Sequence, residues 1–486
     1  MSQALWNHQV HAIKVAEVTP DLGLFMEQGT GKTRAAIEIL RRRYAKVNRL
    51  RKTLILAPII VCENWKKEFK VFSKIAQKDI LVLTGTGKKR IAQFIAAVGE
   101  DLTGNKIIIT NYESMQMEDF YQLLCMWQPE IFLCDESQRL KSPTSVRAKA
   151  AMAIADTSQH NYILTGTPVL QSAMDLFMQF RVLDRGATFG KNFFGFRHTY
   201  FEDVNSAFKG KQSYFPKWEA RSTAYDQLQD RIKAKAIRVL KKDCLDLPPF
   251  VRQQISVALT KDQARAYKEM YNDYITFIES KSGEPRAVVA QMAVTKALRL
   301  QQIVSGFAKD EEGNIIRFNN VPRLEALKEL LESLVIEGKH KVIVWAVFKE
   351  NYKQLAEVCL LLGIKYTEIH GEIKQSDREH NMEEFRKNPD VGVMIANQGA
   401  GGVGVNLIEA SYSIYYSKGF KLEDDLQSEA RNYRGGSEMH TKVTRIDLVT
   451  PGSIDELVNE ALYNKQAIGD KILGWQEQMN CTASIK

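Results

Sequence analysis

Short apolar runs separated by stretches of helical periodicity cover most of this chain. Lys52–Ala57 (Lys-Thr-Leu-Ile-Leu-Ala) has the character of a strand buried on both faces and is closed by Pro58. Cys62–Phe69 reads as the helix that follows. Asp79–Leu83, Lys106–Thr110, Glu130–Cys134 and Tyr162–Thr165 repeat the strand pattern, with helical spacing at Ser114–Met126 and Ser145–Ala155 between them. Strands alternating with helices predict a parallel sheet covered on both sides. From about Gly186 the pattern changes. Phe, Tyr and Lys are dense from Phe189 to Trp218, helical periodicity runs through Tyr225–Lys242, and Leu247-Pro248-Pro249 breaks it. Helical patterns resume at Lys261–Glu279 and Ala287–Ser305, with loops at Ser280–Pro285 and Asp310–Asn320. A second alternation begins near Pro322. It comprises helix Arg323–Ile336, strand Lys341–Trp345, helix Lys349–Leu362, strand Tyr366–Ile369, helix Ser376–Lys387, strands Val391–Ile395 and Ser411–Tyr415, helix Glu423–Asn432 and strand Thr441–Leu448. The expected fold class is α/β, with parallel-sheet domains at 1–185 and 322–470, a mostly helical insertion at 186–321 and a tail at 471–486.

Composition narrows the partners. Of 486 residues, 44% are hydrophobic and 26% charged, as in ordinary globular proteins, but the net charge is +9 and the pI about 9.0. That excess points to an anionic partner, nucleic acid before a membrane surface. Six cysteines lie far apart with no Cys-x-x-Cys pair, which excludes a zinc ribbon and fits a reducing cytosol. No signal peptide opens the sequence, and no apolar run approaches the ~20 residues of a membrane span.

The chemistry concentrates where strands end. Met26-Glu-Gln-Gly-Thr-Gly-Lys-Thr33 is a glycine loop leading into a helix over Arg34–Leu40. Gly29 and Gly31 permit backbone angles that a Cβ forbids, so the N–H groups of the loop, Thr30 included, can curl round phosphates. Lys32 then reaches the outer phosphates and the Thr33 hydroxyl takes Mg2+. A strict phosphate loop opens with glycine, where this chain has Met26. Strand Glu130–Cys134 runs into Asp135-Glu136, an acidic pair suited to hold the metal through water and to orient an attacking water. Thr165-Gly-Thr-Pro168 ends another strand and is expected beside the same site. Gln9 carries an amide able to pair donor and acceptor with an adenine edge, or else is an ordinary helix glutamine. Two acid-free basic runs, Arg41–Lys52 and Arg231–Lys242, are candidates for phosphate contact or plain solvated faces. Gln427, Arg431 and Arg434 share one helix face by spacing, so that the arginines can project at a phosphate.

In order and spacing these motifs resemble the Swi/Snf-like ATPases of the superfamily-two helicases, from about Leu5 to Pro451. The resemblance rests on Leu5-Trp-Asn-His-Gln9, Met26–Thr33, Leu56-Ala-Pro58 with Asn64-Trp65, Thr110-Asn-Tyr112, Asp135-Glu-Ser-Gln-Arg-Leu-Lys141, Leu164–Pro168, Arg238 with Lys241-Lys242, Gly401–Leu407 and Gln427 to Arg434. It implies two RecA-like domains that use ATP and Mg2+, with Gln9 at the adenine, Gly404 and Gln427 on the nucleotide, Arg434 as arginine finger and Arg431 beside it. It also implies double-stranded DNA as a sequence-independent partner of a monomeric motor, with contacts near Trp65, Lys66, Lys67, Thr110, Asn111, Tyr112, Phe348, Lys349, Gly401 and Gly402. The chain departs from the pattern at Gln138, usually His, at Gln398-Gly399, usually Thr-Lys, and at Gly435-Gly436, usually part of Ile-Gly-Gln. Because the motifs take up nearly the whole length, the resemblance implies a minimal bacterial or viral motor, acting in the cytoplasm of a bacterium or virus-infected cell, without a reader module. Two alternatives stay open: a strand-separating or branch-migrating helicase, and a non-catalytic clamp that uses nucleotide as a switch.

Overall fold

The computed structural model describes residues 4–208, 216–280, 286–310, 312–399 and 406–473. Contacts divide the chain into two units, the first through Leu245 and again from Lys465, the second from Asp246 to Asn464.

The first unit is built on seven strands: β1 Leu22–Met26, β2 Thr53–Ala57, β3 Ile80–Val82, β4 Ile107–Asn111, β5 Ile131–Asp135, β6 His160–Thr165 and β7 Ala236–Val239. Their spatial order is β3-β4-β2-β5-β6-β1-β7, and every pairing is parallel. Alternate side chains go to opposite cores. Leu54, Leu56, Phe132 and Cys134 join one cluster, while Ile55, Ala57, Ile131 and Leu133 join the other. A sheet buried on both faces therefore reads as continuous apolar runs rather than alternation. Helices α1 (Asn7–Val18), α2 (Lys32–Ala45) and α3 (Ile59–Phe72) pack on the second of these cores, supplying Ile13, Ile37, Leu40, Trp65 and Phe69.

The second unit carries β8 Phe250–Ser256, β9 Lys341–Ala346, β10 Lys365–Ile369, β11 Val391–Asn397, β12 Ala410–Tyr415 and β13 Val443–Val449. They lie in the order β8-β13-β12-β9-β11-β10, again all parallel. Val342 and Val344 face one core, Ile343 and Trp345 the other. Two of its helices matter below, α4 (Lys349–Leu361) and α5 (Leu422–Glu429).

Four expectations change. The predicted helix Tyr225–Lys242 is a helix over Ala224–Lys233 followed by β7, which pairs with β1 from Ala236↔Gly23 to Val239↔Met26. Likewise Phe250–Ser256 adds a strand to the second sheet, so the region read as a helical insertion contributes a strand to each sheet. The loop expected at Asp310–Asn320 contains Ile315–Arg317, antiparallel to Phe307–Lys309. Finally α5 stops at Glu429 rather than Asn432, with Ala430 turning out of the helix at φ −74 and ψ 4. Gln427, Arg431 and Arg434 are thus not one helix face. The aromatic density after Phe189 is core, with Phe189, Phe196, Tyr200 and Phe201 buried together. Among the described residues no helix is long and apolar enough to cross a membrane.

Candidate functional site

β1 ends inside the sheet, and the chain then makes a loop rather than continuing. Gly29 (φ 89) and Gly31 (φ 77) both sit in the left-handed region, and Gly31 caps α2. The positive φ of Gly31 favours glycine there, and a Cβ would lie 2.3 Å from Gln9 Nε2, so any other residue would also displace that amide. Within the loop the Thr30 hydroxyl donates to Glu27 O at 2.7 Å, and Lys32 Nζ donates to Met26 O at 2.7 Å. The first turn of α2 contains no acid, so its N–H groups and helix dipole present positive potential. Gln28, Gly29, Gly31, Lys32 and Thr33 remain partly accessible.

α1 braces this loop. His8 Nε2 lies 2.7 Å from Thr30 O, and Gln9 Nε2 donates to Gly31 O at 3.2 Å. Burial lowers the His8 pKa, and the Thr30 carbonyl opposes it. Gln9 Oε1 accepts the Trp6 N–H at 2.9 Å, and the Gln9 side chain is buried. Gln9 therefore lies against the glycine loop, with its amide bonded to the protein's own backbone.

Asp135 and Glu136 stand at the end of β5, two strands from β1. Asp135 is buried, and both oxygens are held: Trp65 Nε1 donates to Oδ2 at 2.8 Å and the Glu136 N–H to Oδ1 at 3.0 Å. Burial, and then the neighbouring Glu136, push its carboxyl up to about 6. Glu136 adopts φ 53, a conformation rare outside glycine and often found at functional sites. Gln138 Nε2 donates to Glu136 Oε2 at 2.9 Å, Thr165 Oγ1 donates to Gln138 Oε1 at 2.6 Å, and the Thr167 N–H donates to Thr165 Oγ1 at 3.0 Å. The glutamine that departs from the family pattern thus links the acidic pair to the turn after β6. That turn touches the phosphate loop, since a Cβ on Gly166 would lie 3.3 Å from Met26 O and 3.4 Å from Gln28 N. Loop, carboxylates and turn therefore form one site at the carboxyl ends of β1, β5 and β6, where open parallel sheets bind ligands.

Several predicted contact residues are internal instead. Trp65, Thr110, Asn111 and Tyr112 are buried and cannot meet a duplex as placed. Thr110 bonds Ser114 at 2.8 Å, Arg90 donates to Asn111 Oδ1 at 2.5 Å, and Tyr112 donates to Asp135 O at 2.7 Å. Trp65 and Tyr112 are support for Asp135, a role the sequence reading missed. The signal was present: Cys62, Trp65 and Phe69 fall at i, i+3 and i+7, one inward helix face. Lys66 is half-buried and Lys67 exposed on α3. Phe348 packs on Phe307 with centroids 5.7 Å apart, and exposed Lys349 pairs with Glu372 at 2.8 Å. Gly401, Gly402 and Gly404 lie outside the described residues. The first basic run is taken up largely by internal partners, including Arg49–Glu130 at 2.7 Å and Arg43 to Tyr162 Oη at 2.8 Å.

In the second unit Gln427 donates to Glu423 at 3.3 Å, Arg431 is buried with its carbonyl accepting the Leu407 N–H at 3.0 Å, and Arg434 is half-buried in the segment after α5. α5 is fixed by a buried ionic cluster. Arg445 on β13 binds Asp425 at 2.8 Å and Glu429 at 3.0 Å, stacks 3.8 Å from the Tyr415 ring centroid, and Arg252 on β8 adds a second cation to Glu429 at 2.6 Å. Burial pushes the Asp425 carboxyl up, but Arg445 more than offsets this and holds it below the usual range.

The SNF2-related domain family matches residues 19–306, and the helicase conserved C-terminal domain matches residues 322–436. Similar curated proteins include the CHD3-type chromatin-remodeling factor PICKLE of Arabidopsis thaliana (24% identical, over 98% of this chain and 34% of the relative). The putative ATP-dependent helicase/translocase YwqA of Bacillus subtilis is 23% identical over 92% of this chain and 46% of the relative. The Zorya protein ZorD of Escherichia coli is 23% identical over 96% and 44%. The chain spans about a third to a half of the length of these relatives. Among solved structures, the Sulfolobus solfataricus SWI2/SNF2 ATPase core in complex with dsDNA aligns at a TM-score of 0.44 and 21% identity, over 97% of this chain and 93% of that one. With the first family match alone covering more than half of the sequence, this chain belongs to the SNF2-related family of the superfamily-two helicases.

Proposed function

We propose that this chain is an ATP-dependent motor that couples ATP hydrolysis to movement along double-stranded DNA. The observation that carries the reading is the single site in the first unit that joins the phosphate loop, the Asp135–Glu136 pair and the turn Thr165–Pro168. The loop N–H groups and Lys32 bind the phosphates. Glu136, oriented by Gln138, positions the water whose oxygen bonds to the γ-phosphorus as the β–γ bridging bond breaks. Arg434, from the second unit, adds positive charge to the transferring phosphoryl group, with Arg431 supporting its segment. Thr33 and Asp135 are hard oxygen donors of the kind Mg2+ takes, and a carboxyl raised to about 6 by burial is one whose charge a nearby cation stabilises. Among the described residues no three acidic, His or Cys side chains converge on one point. Mg2+ would be held by Thr33 and, through water, by Asp135, supplying charge neutralisation to the phosphates.

The DNA half rests on family membership and on the names of relatives, which include a putative ATP-dependent helicase/translocase and a DNA repair and recombination protein. A net charge of +9 supports a polyanion as partner. Lys66, Lys67 and Lys349 are the described candidates for phosphate contact, which carries no sequence information and weakens steeply with salt. ATPase rates with duplex, single-stranded, forked and RNA cofactors test the proposal, together with displacement of a triplex-forming third strand. Duplex should stimulate most, and the third strand should be displaced with the duplex intact. Robust unwinding of a plain tailed duplex without triplex displacement would replace the translocase with a strand-separating helicase.

A further inference from the structure

Every residue of the helix Leu176–Asp184 is buried, yet an amide stands in the middle of it, at Gln179. Its neighbours Phe177 and Phe180 belong to the apolar core. A buried amide is costly unless its hydrogen bonds are made, and here they are. Gln179 Nε2 donates to Pro168 O at 2.7 Å and to Asp175 O at 2.9 Å, and Gln179 Oε1 accepts the Ser137 hydroxyl at 2.8 Å. Ser137 directly follows the acidic pair, and Pro168 closes the turn that begins at Thr165. Gln179 and Ser137 are both fully buried, beyond the reach of any ligand, and together they join the two segments that meet at the nucleotide site. The turn is fixed on its far side as well, where Asp175 Oδ2 accepts the Leu170 and Gln171 N–H groups at 2.9 and 2.8 Å.

What this link holds in place is the backbone of Glu136. That residue sits at φ 53 and ψ 54, a left-handed conformation that persists only where its surroundings over-determine it. On one side Asp135 is held by the Trp65 and Glu136 N–H groups, and on the other Ser137 is held by Gln179. We propose that Gln179 is a positioning residue for hydrolysis. Through Ser137 it keeps Glu136 in the strained backbone that aims its carboxylate, and through the Pro168 carbonyl it keeps the turn in register with the acidic pair. The inference rests on the ATPase reading and goes beyond it, since Gln179 meets neither nucleotide nor water. Gln138 bonds the Glu136 carboxylate and Thr165, so it fixes the end of that side chain, while Gln179 fixes the backbone from which the side chain starts. The three bonds of Gln179 leave out the phosphate loop, which His8 and Gln9 brace. Loss of the amide should therefore slow the chemical step and spare nucleotide binding.

The test is a double-mutant cycle on the full chain with Gln179→Met, Ser137→Ala and the two combined, reading ATP affinity and single-turnover hydrolysis. Gln179→Met keeps the length of the side chain and removes its hydrogen bonds, and Ser137→Ala removes a single hydroxyl. Gln179→Met should slow hydrolysis by roughly 5- to 150-fold, the factor by which left-handed strain, once released, depopulates the aligned backbone. ATP affinity should stay within about threefold of the unmodified chain, the split expected when only the chemical step is touched. Ser137→Ala should slow hydrolysis in the same way, and the combined variant should be no slower than Gln179→Met alone, because both substitutions sever one link. Normal hydrolysis in Gln179→Met would overturn the proposal, as would two effects that multiply, the signature of independent losses. A fall in ATP affinity in step with hydrolysis would overturn it too and make the amide a support of the fold alone. If Gln179→Met does not fold, Ser137→Ala decides: slower hydrolysis at unchanged ATP affinity supports the link, and full turnover overturns it. An unmodified chain that never hydrolyses ATP would overturn the ATPase reading and this inference with it, a result seen before any variant is compared.

Discussion

In the first unit the strand Leu22–Met26 leads through two left-handed glycines into a helix whose first turn carries no acid. In the second unit the strand Ala410–Tyr415 leads to α5, whose first turn carries Glu423, Asp424 and Asp425. Both strands lie inside all-parallel sheets buried on two faces. The difference is electrostatic. An acid-free helix N-terminus attracts an anion, while three carboxylates at the other already neutralise the dipole and repel phosphate. The second sheet instead spends its charge on holding α5 through Arg445. One scaffold thus carries an acid-free helix N-terminus in one unit and an acidic helix held by arginine in the other.

The strongest way to break this comparison is to remove the charge that completes the acid-free site. Lys32→Ala should abolish ATP turnover, because the lysine neutralises the outer phosphates where negative charge must be tolerated. Turnover within a few-fold of the unmodified chain would take the loop out of the mechanism. Glu136→Gln separates binding from chemistry in the same unit. It should bind ATP normally and slow single-turnover hydrolysis by ~10²–10⁴, the range for losing a positioned base. If the folded variant fails to bind ATP, Glu136 has a different role.

The second unit should show the opposite signature. Arg434→Ala should leave ATP binding intact and reduce DNA-stimulated hydrolysis by ~10³ or more. Full stimulated turnover would shift the role to Arg431 or remove the finger altogether. Arg445→Met should destabilise by about 3–5 kcal/mol, because it strands Asp425 as a buried carboxylate, while Glu429 keeps Arg252. A variant with unchanged chemical denaturation would show that α5 is held by packing alone.

Which parts were legible in the sequence follows from the same contrast. The phosphate loop and acidic pair were readable because a glycine angle and a strand-end carboxylate are local features. The sheet strands were readable because double-sided burial demands uninterrupted apolar runs. β7 was not, because Ala236-Ile-Arg-Val239 is a four-residue run inside a basic helical pattern, and its strand character comes from the open edge of β1 beside it. The end of α5 was missed because the spacing of Gln427, Arg431 and Arg434 fits a helix that the chain leaves at Ala430. The sequence also marked Trp65 and Tyr112 as part of a recognisable motif without saying which way they face. Their inward roles depend on Asp135, 70 and 23 residues away in sequence.

That last correction yields the smallest effect and the finest test of how the first unit divides its labour. Trp65 and Lys67 lie two residues apart on α3, one buried against Asp135 and one in solvent. Trp65→Phe keeps most of the ring volume and removes one N–H donated to a buried carboxylate, a bond worth about 1.5–3 kcal/mol when its partner is charged. Asp135 then loses its fixed orientation, so ATP hydrolysis should fall by roughly 10- to 100-fold while duplex affinity and its salt dependence stay unchanged. Lys67→Ala should do the reverse, leaving basal hydrolysis alone, weakening duplex binding equally for all sequences and lowering the salt slope by about 1. Lys349→Ala in the second unit should change binding less, because Glu372 already neutralises that ammonium at 2.8 Å. Fluorescence anisotropy across a salt series, run beside a phosphate-release assay, separates the three. If Trp65→Phe lowers DNA affinity and spares hydrolysis, α3 presents its motif to DNA, and the buried bond to Asp135 is not what the tryptophan is for.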